Sequence, residues 1–231
     1  MKLSIIICAY NERDTILTVL DRVEAISLGP GWEKEIIVVD NCSTDGTREL
    51  LKSVVADNVK IIFHPENLGK GASIRTAVKH CTGDYAIIQD ADLEYDPGEI
   101  PRFLEKALSD HLDAVYGSRT ITGNVNYIYF RNYLGVRFLT FLTNLLFNTR
   151  YTDVATASKM VRTSVLKSLN LECSGFDLDF ELSNKLGKNR CRVAEIPITY
   201  RPRSHAEGKK IRAKDALIAF VRILKDRLCR G

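Results

Sequence analysis

"DYAIIQDADLEYD", residues 84–96, runs the strand-like stretch YAIIQ straight into four carboxylates within the eight positions 89–96. A continuous apolar run of this length reads as a strand buried on both faces, the pattern of a parallel sheet covered by helices. The acidic cluster then falls at the carboxyl end of that strand, which is where open α/β sheets bind their ligands. Carboxylates so crowded repel one another. A compensating cation is therefore expected: a lysine, solvent sodium or a divalent metal.

The same design repeats on both sides of this stretch. "KLSIIICAY" (2–10) is a buried strand, "TILTVLDRVEAI" (15–26) carries apolar residues at helical spacing, and the GPG at 29–31 stops it. "KEIIVVDNCSTDGT" (34–47) and "VKIIFHPEN" (59–67) are further strands running into polar turns, each followed by a helix: "RELLKSVV" (48–55) and "KGASIRTAVKHC" (70–81). "DPGEIPRFLEKAL" (96–108) is a helix with proline near its start, and "DAVYGSR" (113–119) a fifth strand. Such alternation predicts an α/β fold with a doubly wound, mainly parallel sheet flanked by helices. After Arg119 the rhythm changes. "YIYFRNYLGVRFLTFLTNLLFN" (127–148) is helical and apolar around most of its circumference, charged only at Arg131 and Arg137. Helices at 163–169 and 176–187, a strand within 192–203 and a terminal amphipathic helix at 211–228 complete the expectation. With no low-complexity linker and no internal repeat, one domain over 1–231 is expected, residues 1–120 serving one ligand and 121–231 a second ligand and an interface.

The 231 residues include 45% hydrophobic and 27% charged residues, ordinary for a globular chain. The formal net charge of +4 is uneven: residues 201–231 hold ten Lys and Arg against three Asp and Glu, a net of +7, leaving −3 for the rest. A mildly acidic body with a basic tail suits phosphates or an anionic membrane surface rather than nucleic acid. The six cysteines show neither a CxxC pair nor zinc spacing, and Met1-Lys2 leads directly into a strand, so a reduced, cytoplasmic compartment is expected. No stretch of 18 uncharged apolar residues exists to span a bilayer.

The strand ends collect Tyr10, Asn11 and Glu12, then Asp40, then Asp90 and Asp92, then Arg119, all on one edge of a parallel sheet. Any one of these could merely cap the next helix; together they point to one crevice. Two hard oxygen donors at Asp-x-Asp spacing suit Mg²⁺ or Mn²⁺, with Glu94 as a third oxygen. "NLGKGASIRTA" (67–77) opens a helix with Gly69, Lys70 and Gly71, equally readable as an anion cradle or a tight packing turn. In "GFDLDFE" (175–181), Asp179 and Glu181 read as helix-start charge or as acceptor-positioning or basic groups. No Ser-His-Asp arrangement is evident, and His205 in the basic loop stays open.

"IICAYNE", "VVDNCSTDGT", "NLGKGASIRTA", "QDADLE", "GSR" and "EIPITYRPR…EGKK" occur in the order found in family 2 glycosyltransferases of the GT-A fold, and most resemble dolichol- or polyprenyl-phosphate sugar synthases. The resemblance covers residues 3–215 and implies a mixed, mainly parallel sheet flanked by helices, with interfacial amphipathic helices toward the C-terminus. It implies that Cys8, Tyr10, Glu12, Asp40 and Ala91 lie around a bound nucleotide sugar, and that Asp90, Asp92 and Glu94 hold Mg²⁺ or Mn²⁺ on its diphosphate. Arg119, Arg203 and Lys209 would meet phosphate oxygens, with Asp92, Arg119 and Arg203 catalytic and Arg131, Asp179 and Glu181 facing the acceptor. This chain departs from the family at Cys8, usually Pro, at Asn41-Cys42, usually Asp-Gly, at Glu94, often Gln, and in the plain "DVATASK" (153–159). The implied activity is metal-dependent, inverting transfer of a hexose from a GDP-mannose- or UDP-glucose-type donor to a polyprenyl or dolichyl phosphate, peripherally at the inner membrane face. Two rivals stay open: transfer to a hydroxyl of a glycan or glycolipid, and a non-catalytic nucleotide-binding membrane scaffold.

Overall fold

A computed structural model of the protein describes residues 1–122, 130–203 and 213–228, without the side chains of Phe130, Arg131 and Ala213. Lys209, His205 and the side chain of Arg131 therefore lie outside the described residues. In chain order the elements are β1 (Lys2–Ala9), α1 (Ile16–Glu24), β2 (Glu33–Asp40), α2 (Thr47–Lys52), β3 (Val59–Phe63), α3 (Lys70–His80), β4 (Tyr85–Asp90) and α4 (Ile100–Ser109). They continue with β5 (Ala114–Ser118), α5 (Phe130–Phe147), β6 (Lys159–Arg162), α6 (Thr163–Ser168), α7 (Leu178–Lys188), β7 (Val193–Pro197) and α8 (Ala213–Leu228).

The seven strands form one sheet in the order β3-β2-β1-β4-β6-β5-β7. Winding runs outward from β1 to β3, then returns to place β4 on β1's other side, parallel to it. The junction of β1 and β4 is thus the point where the strand order reverses, the expected place for a ligand crevice. The expected α/β architecture is present, with one addition. The short β6, a strand the sequence does not announce, lies antiparallel between β4 and β5 and makes the sheet the mixed, mainly parallel one that was expected.

Both faces are apolar because the strands alternate side chains between two helical layers. Ile6, Val39 and Ile88 pack with Ile74 of α3, Leu182 of α7 and Ile223 of α8. Ile5, Ile7, Val38 and Ile87 pack with Val19 of α1, Leu51 of α2 and Phe103 of α4. A one-residue slip would exchange these sets, so the two-sided core fixes the register.

α8 is pinned by Arg222, which lies 2.7 Å from Glu181 on α7, and by Asn184, which donates to Asp226. Its outer face is different: Leu217, Ile218, Val221, Leu224 and Leu228 are exposed, beside exposed Leu134, Phe138, Phe141 and Leu145 on α5. Phe138 and Phe220 stack where the two helices meet. Among the described residues, no helix is long and apolar enough to cross a membrane.

At the opposite edge of the sheet, Glu35 gathers Ser4 Oγ, Thr82 N and Oγ1, Gly83 N and the Lys2 ammonium. Burial would raise its pKa, but these donors outweigh burial and hold it at about 2. A depressed carboxylate contributes stability that is present above its unfolded pKa and lost as pH falls toward the folded one. Urea unfolding should therefore show the wild type losing stability between pH 4.5 and 2, and Glu35→Gln losing less. Equal losses in both proteins would dissociate this network from acid unfolding.

Candidate active site

The β1–β4 register sets Cys8 opposite Asp90, so the loop after β1 and the acidic loop after β4 leave the sheet side by side. Asn11 takes a left-handed conformation, φ 52°, which asparagine tolerates better than most residues. Its amide donates to Ser43 Oγ, its side-chain oxygen accepts from Thr44 N, and Glu12 N donates to Thr47 Oγ1. These bonds knit the loop after β1 to the loop after β2.

Inside the crevice each aspartate of the Asp-x-Asp pair has a protein cation. Lys70 Nζ, from the first turn of α3, lies 2.5 Å from Asp90 Oδ1, and Arg203 Nη2 lies 2.6 Å from Asp92 Oδ2. Arg203 also reaches both oxygens of the buried Glu12 at 3.1 Å. Burial, reinforced by the Asp90 and Glu94 carboxylates, pushes Asp92 up to about 7 against the pull of Arg203. Burial opposes the charge on Lys70, yet Asp90 and Asp179 outweigh it and hold the ammonium protonated. Burial also pushes the Cys8 thiol up to about 12, so it faces the crevice as a neutral group.

Glu94, grouped from sequence with the metal ligands, points elsewhere. Its oxygens accept from Tyr200 Oη and from Arg203 N, at 2.9 and 2.8 Å. Arg119 is gripped by Asp153, which is fully buried and accepts from its Nε at 2.6 Å, its Nη2 at 2.8 Å and its backbone N at 3.1 Å. The loop carrying Asp153 is held in turn by Glu195, which accepts from Thr152 N and Asp153 N. Arg119 also donates to Tyr95 Oη and stacks over Tyr200, which links β5 to the acidic loop. Asp153 escaped the sequence reading; its signal was the D-x-x-T-x-x-K spacing, whose Lys159 is the fully buried residue that bonds Val154 O and Asp179 O.

Other anticipated residues have prior commitments. Asp40 is wholly buried, 3.2 Å from Arg48 Nε and accepting from Ser43 N, so it supports the turn behind the crevice. Glu181 is buried between Lys185 and Arg222 and accepts from Glu172 N and Cys173 N, so it is not brought to the crevice. Asp179 stays nearer, 3.4 Å from Lys159 Nζ. The Gly69-Lys70-Gly71 turn is resolved as packing: a Cβ on Gly69 would collide with Ser174 O, and one on Gly71 would lie 2.6 Å from Cys173 O. The loop 173–175 therefore covers the helix start that an anion would need, and Lys70 alone projects into the crevice.

Two hard carboxylates at one strand end match the way Mg²⁺ and Mn²⁺ bind, through one or two protein oxygens with water and substrate phosphates completing the shell. Among the described residues no three His, Cys, Asp or Glu are grouped to hold an ion by themselves. The pair Asp90 and Asp92 fits a metal delivered with a diphosphate.

The family model for glycosyl transferase family 2 matches residues 4–169. A dolichol-phosphate mannosyltransferase of Pyrococcus furiosus is 29% identical over 213 residues, covering 90% of this chain and 59% of the relative. An undecaprenyl-phosphate 4-deoxy-4-formamido-L-arabinose transferase of Pseudomonas fluorescens is 38% identical over 107 residues, covering 45% of this chain and 31% of the relative. The chain thus spans between about a third and three-fifths of these relatives' lengths. In structure it resembles glucosyl-3-phosphoglycerate synthase of Mycobacterium tuberculosis in complex with Mn²⁺, UDP and phosphoglyceric acid, with TM-score 0.69 and 20% identity over 100% of this chain and 80% of that one. The fold is the GT-A fold that the strand-end motifs anticipated. The family model accounts for β1 through α6, including both aspartates of the crevice, and on that match the chain belongs to glycosyl transferase family 2.

Proposed function

We propose that the protein transfers a hexose, with inversion, from a nucleotide sugar to a polyprenyl or dolichyl phosphate, working peripherally at the cytoplasmic face of a membrane. The observation that carries this reading is the Asp90–Asp92 pair at the β1–β4 junction, with Lys70 and Arg203 in contact with it. The names of the two relatives, one acting on dolichol phosphate and one on undecaprenyl phosphate, support the acceptor class.

Asp90 and Asp92 would hold the divalent ion, which when bound neutralises charge on the departing nucleoside diphosphate. Lys70 fixes the orientation of Asp90. Arg203 and Arg119 place guanidinium groups on the crevice and the β5 side of it, where preorganised positive charge favours a transition state that develops negative charge. A lipid phosphate, with its second pKa about 6, is largely ionised at neutral pH and attacks without a base. A hydroxyl acceptor would need one. Asp179 and Glu181, the two carboxylates considered for that task, are paired with Lys159 and with Lys185 and Arg222, which favours the phosphate.

The exposed apolar stripes on α5 and α8 support a lipid-facing surface, with Arg137, Lys214 and Lys225 exposed on the same helices. Each Lys or Arg near an anionic bilayer adds about 1 kcal/mol, an attraction that weakens with salt.

Asp92→Asn should abolish sugar transfer while leaving the melting temperature within a few degrees, because the side chain lines a crevice and packs no core. A radiolabelled-sugar transfer assay with and without EDTA measures this; full activity in the variant, or indifference of the wild type to EDTA, rejects the assignment. The wild-type protein should also sediment with anionic liposomes at low salt and release at high salt. Combining Phe141→Glu on α5 with Val221→Glu on α8 should weaken that binding while nucleotide affinity holds. Absence of liposome binding at every salt, with efficient transfer to a soluble hydroxyl acceptor, would favour the glycan-hydroxyl alternative.

A further inference from the structure

We propose that Glu94 is a positioning residue that anchors Arg203 in the crevice, and not a third ligand of the metal. Only the part assigned to Arg203 rests on the glycosyl-transfer reading above. Between Asp92 and Glu94 the chain turns at Leu93, whose φ of 61° lies in the left-handed region, where a Cβ crowds the following carbonyl oxygen. That turn lets Glu94 N close on Asp92 Oδ1 at 3.1 Å and sends the Glu94 carboxylate to the segment after β7.

Both carboxylate oxygens are taken there. Oε2 accepts from Tyr200 Oη and Oε1 from Arg203 N. Arg203 Nε, which is buried and has no hydrogen-bond partner among the described residues, lies 3.7 Å from the same Oε1. The backbone completes the latch: Arg201 N donates to Glu94 O, and Tyr95 pairs with Tyr200 as an isolated antiparallel bridge, their rings 5.3 Å apart. Glu94 thus grips the base of the Arg203 side chain, while the far end of that side chain lies on Asp92 and Glu12.

This division has a chemical consequence. The Arg203 guanidinium that lies on Asp92 would be repelled by a divalent cation held there, so its far end would have to swing aside to admit a metal-bound diphosphate. The base stays fixed by Glu94, so the guanidinium is redirected onto nearby phosphate oxygens and is not lost to solvent. A carboxylate suits the anchor better than the glutamine the resemblance leads one to expect, because both of its oxygens accept and its charge faces Arg203 Nε.

The test is a double-mutant cycle on the full chain with Glu94→Ala, Arg203→Ala and the double variant. Mn²⁺ affinity is read by electron paramagnetic resonance on protein saturated with UDP or GDP, whichever the wild type binds more tightly. Affinity for that nucleotide is read by calorimetry at saturating Mn²⁺. Glu94→Ala should leave Mn²⁺ affinity within about twofold, whereas even outer partners of metal sites carry roughly 10–100-fold. Nucleotide affinity should fall roughly tenfold in each single variant, the size of one lost charge-assisted bond, and no further in the double. Loss of Mn²⁺ affinity in Glu94→Ala, or additive losses in the double variant, overturns the proposal. If Glu94→Ala fails to fold, Tyr200→Phe replaces it, with a smaller loss of nucleotide affinity expected and an unchanged affinity counting against. A wild type that binds Mn²⁺ and nucleotide yet transfers no sugar to undecaprenyl phosphate defeats the acceptor reading alone, since the cycle is read on binding.

Discussion

Carboxylate repulsion at the β1–β4 junction is the constraint on which the site depends. Glu12, Asp90 and Asp92 converge there on Lys70 and Arg203, and two like charges about 4 Å apart cost about 4 kcal/mol at an effective dielectric near 20. Lys70 and Arg203 offset that cost, and neither is local in sequence: Lys70 is 20 residues from Asp90 and Arg203 is 191 from Glu12. Placing Lys70 takes a succession of contacts. Arg222 on α8 holds Glu181, Glu181 holds the backbone at 172–173, and that loop packs on Gly69 and Gly71 so that α3 begins where Lys70 meets Asp90. Residues read as an acceptor base and a phosphate cradle thus hold Lys70 against Asp90.

The sheet imposes the second condition. Because both faces of β1, β2 and β4 are buried, their register is fixed by two cores at once. A strand locked this firmly can carry polar, mutually repelling residues just past its end, since the core on either side holds the ends in place. The insertion of β6 moves β5, and with it Arg119, one strand further from Asp90 than a purely parallel sheet would. Asp153, Tyr95 and Tyr200 span that gap.

Legibility followed locality. Strands buried on both faces announce themselves as apolar runs, so β1 to β5 and the strand-end carboxylates could be read directly. β6 could not: it is four residues long and begins with Lys159, a residue type seldom fully buried, whose charge is satisfied only by groups the fold delivers. Pairings were equally hidden, because Arg119 and Asp153 lie 34 residues apart and nothing in either segment names the other. Spacing also misleads where a backbone dihedral intervenes. Asp90, Asp92 and Glu94 look like one ligand set in the sequence, and the left-handed Leu93 turns the Glu94 carboxylate away from the two aspartates to Tyr200 and Arg203 N.

The proposed acceptor class follows from what the carboxylates are already doing. A hydroxyl must surrender a proton as it attacks, and the group that takes it must have a free lone pair facing the sugar. Glu94 accepts from Tyr200 and Arg203, Glu181 from two backbone amides beside two cations, and Asp153 from Arg119. Asp179 accepts from Lys159 Nζ at 3.4 Å, so its Oδ1 is already engaged. An acceptor that arrives ionised removes the requirement. A polyprenyl phosphate meets that condition, and under the proposed function the exposed apolar faces of α5 and α8 would meet the membrane that holds it.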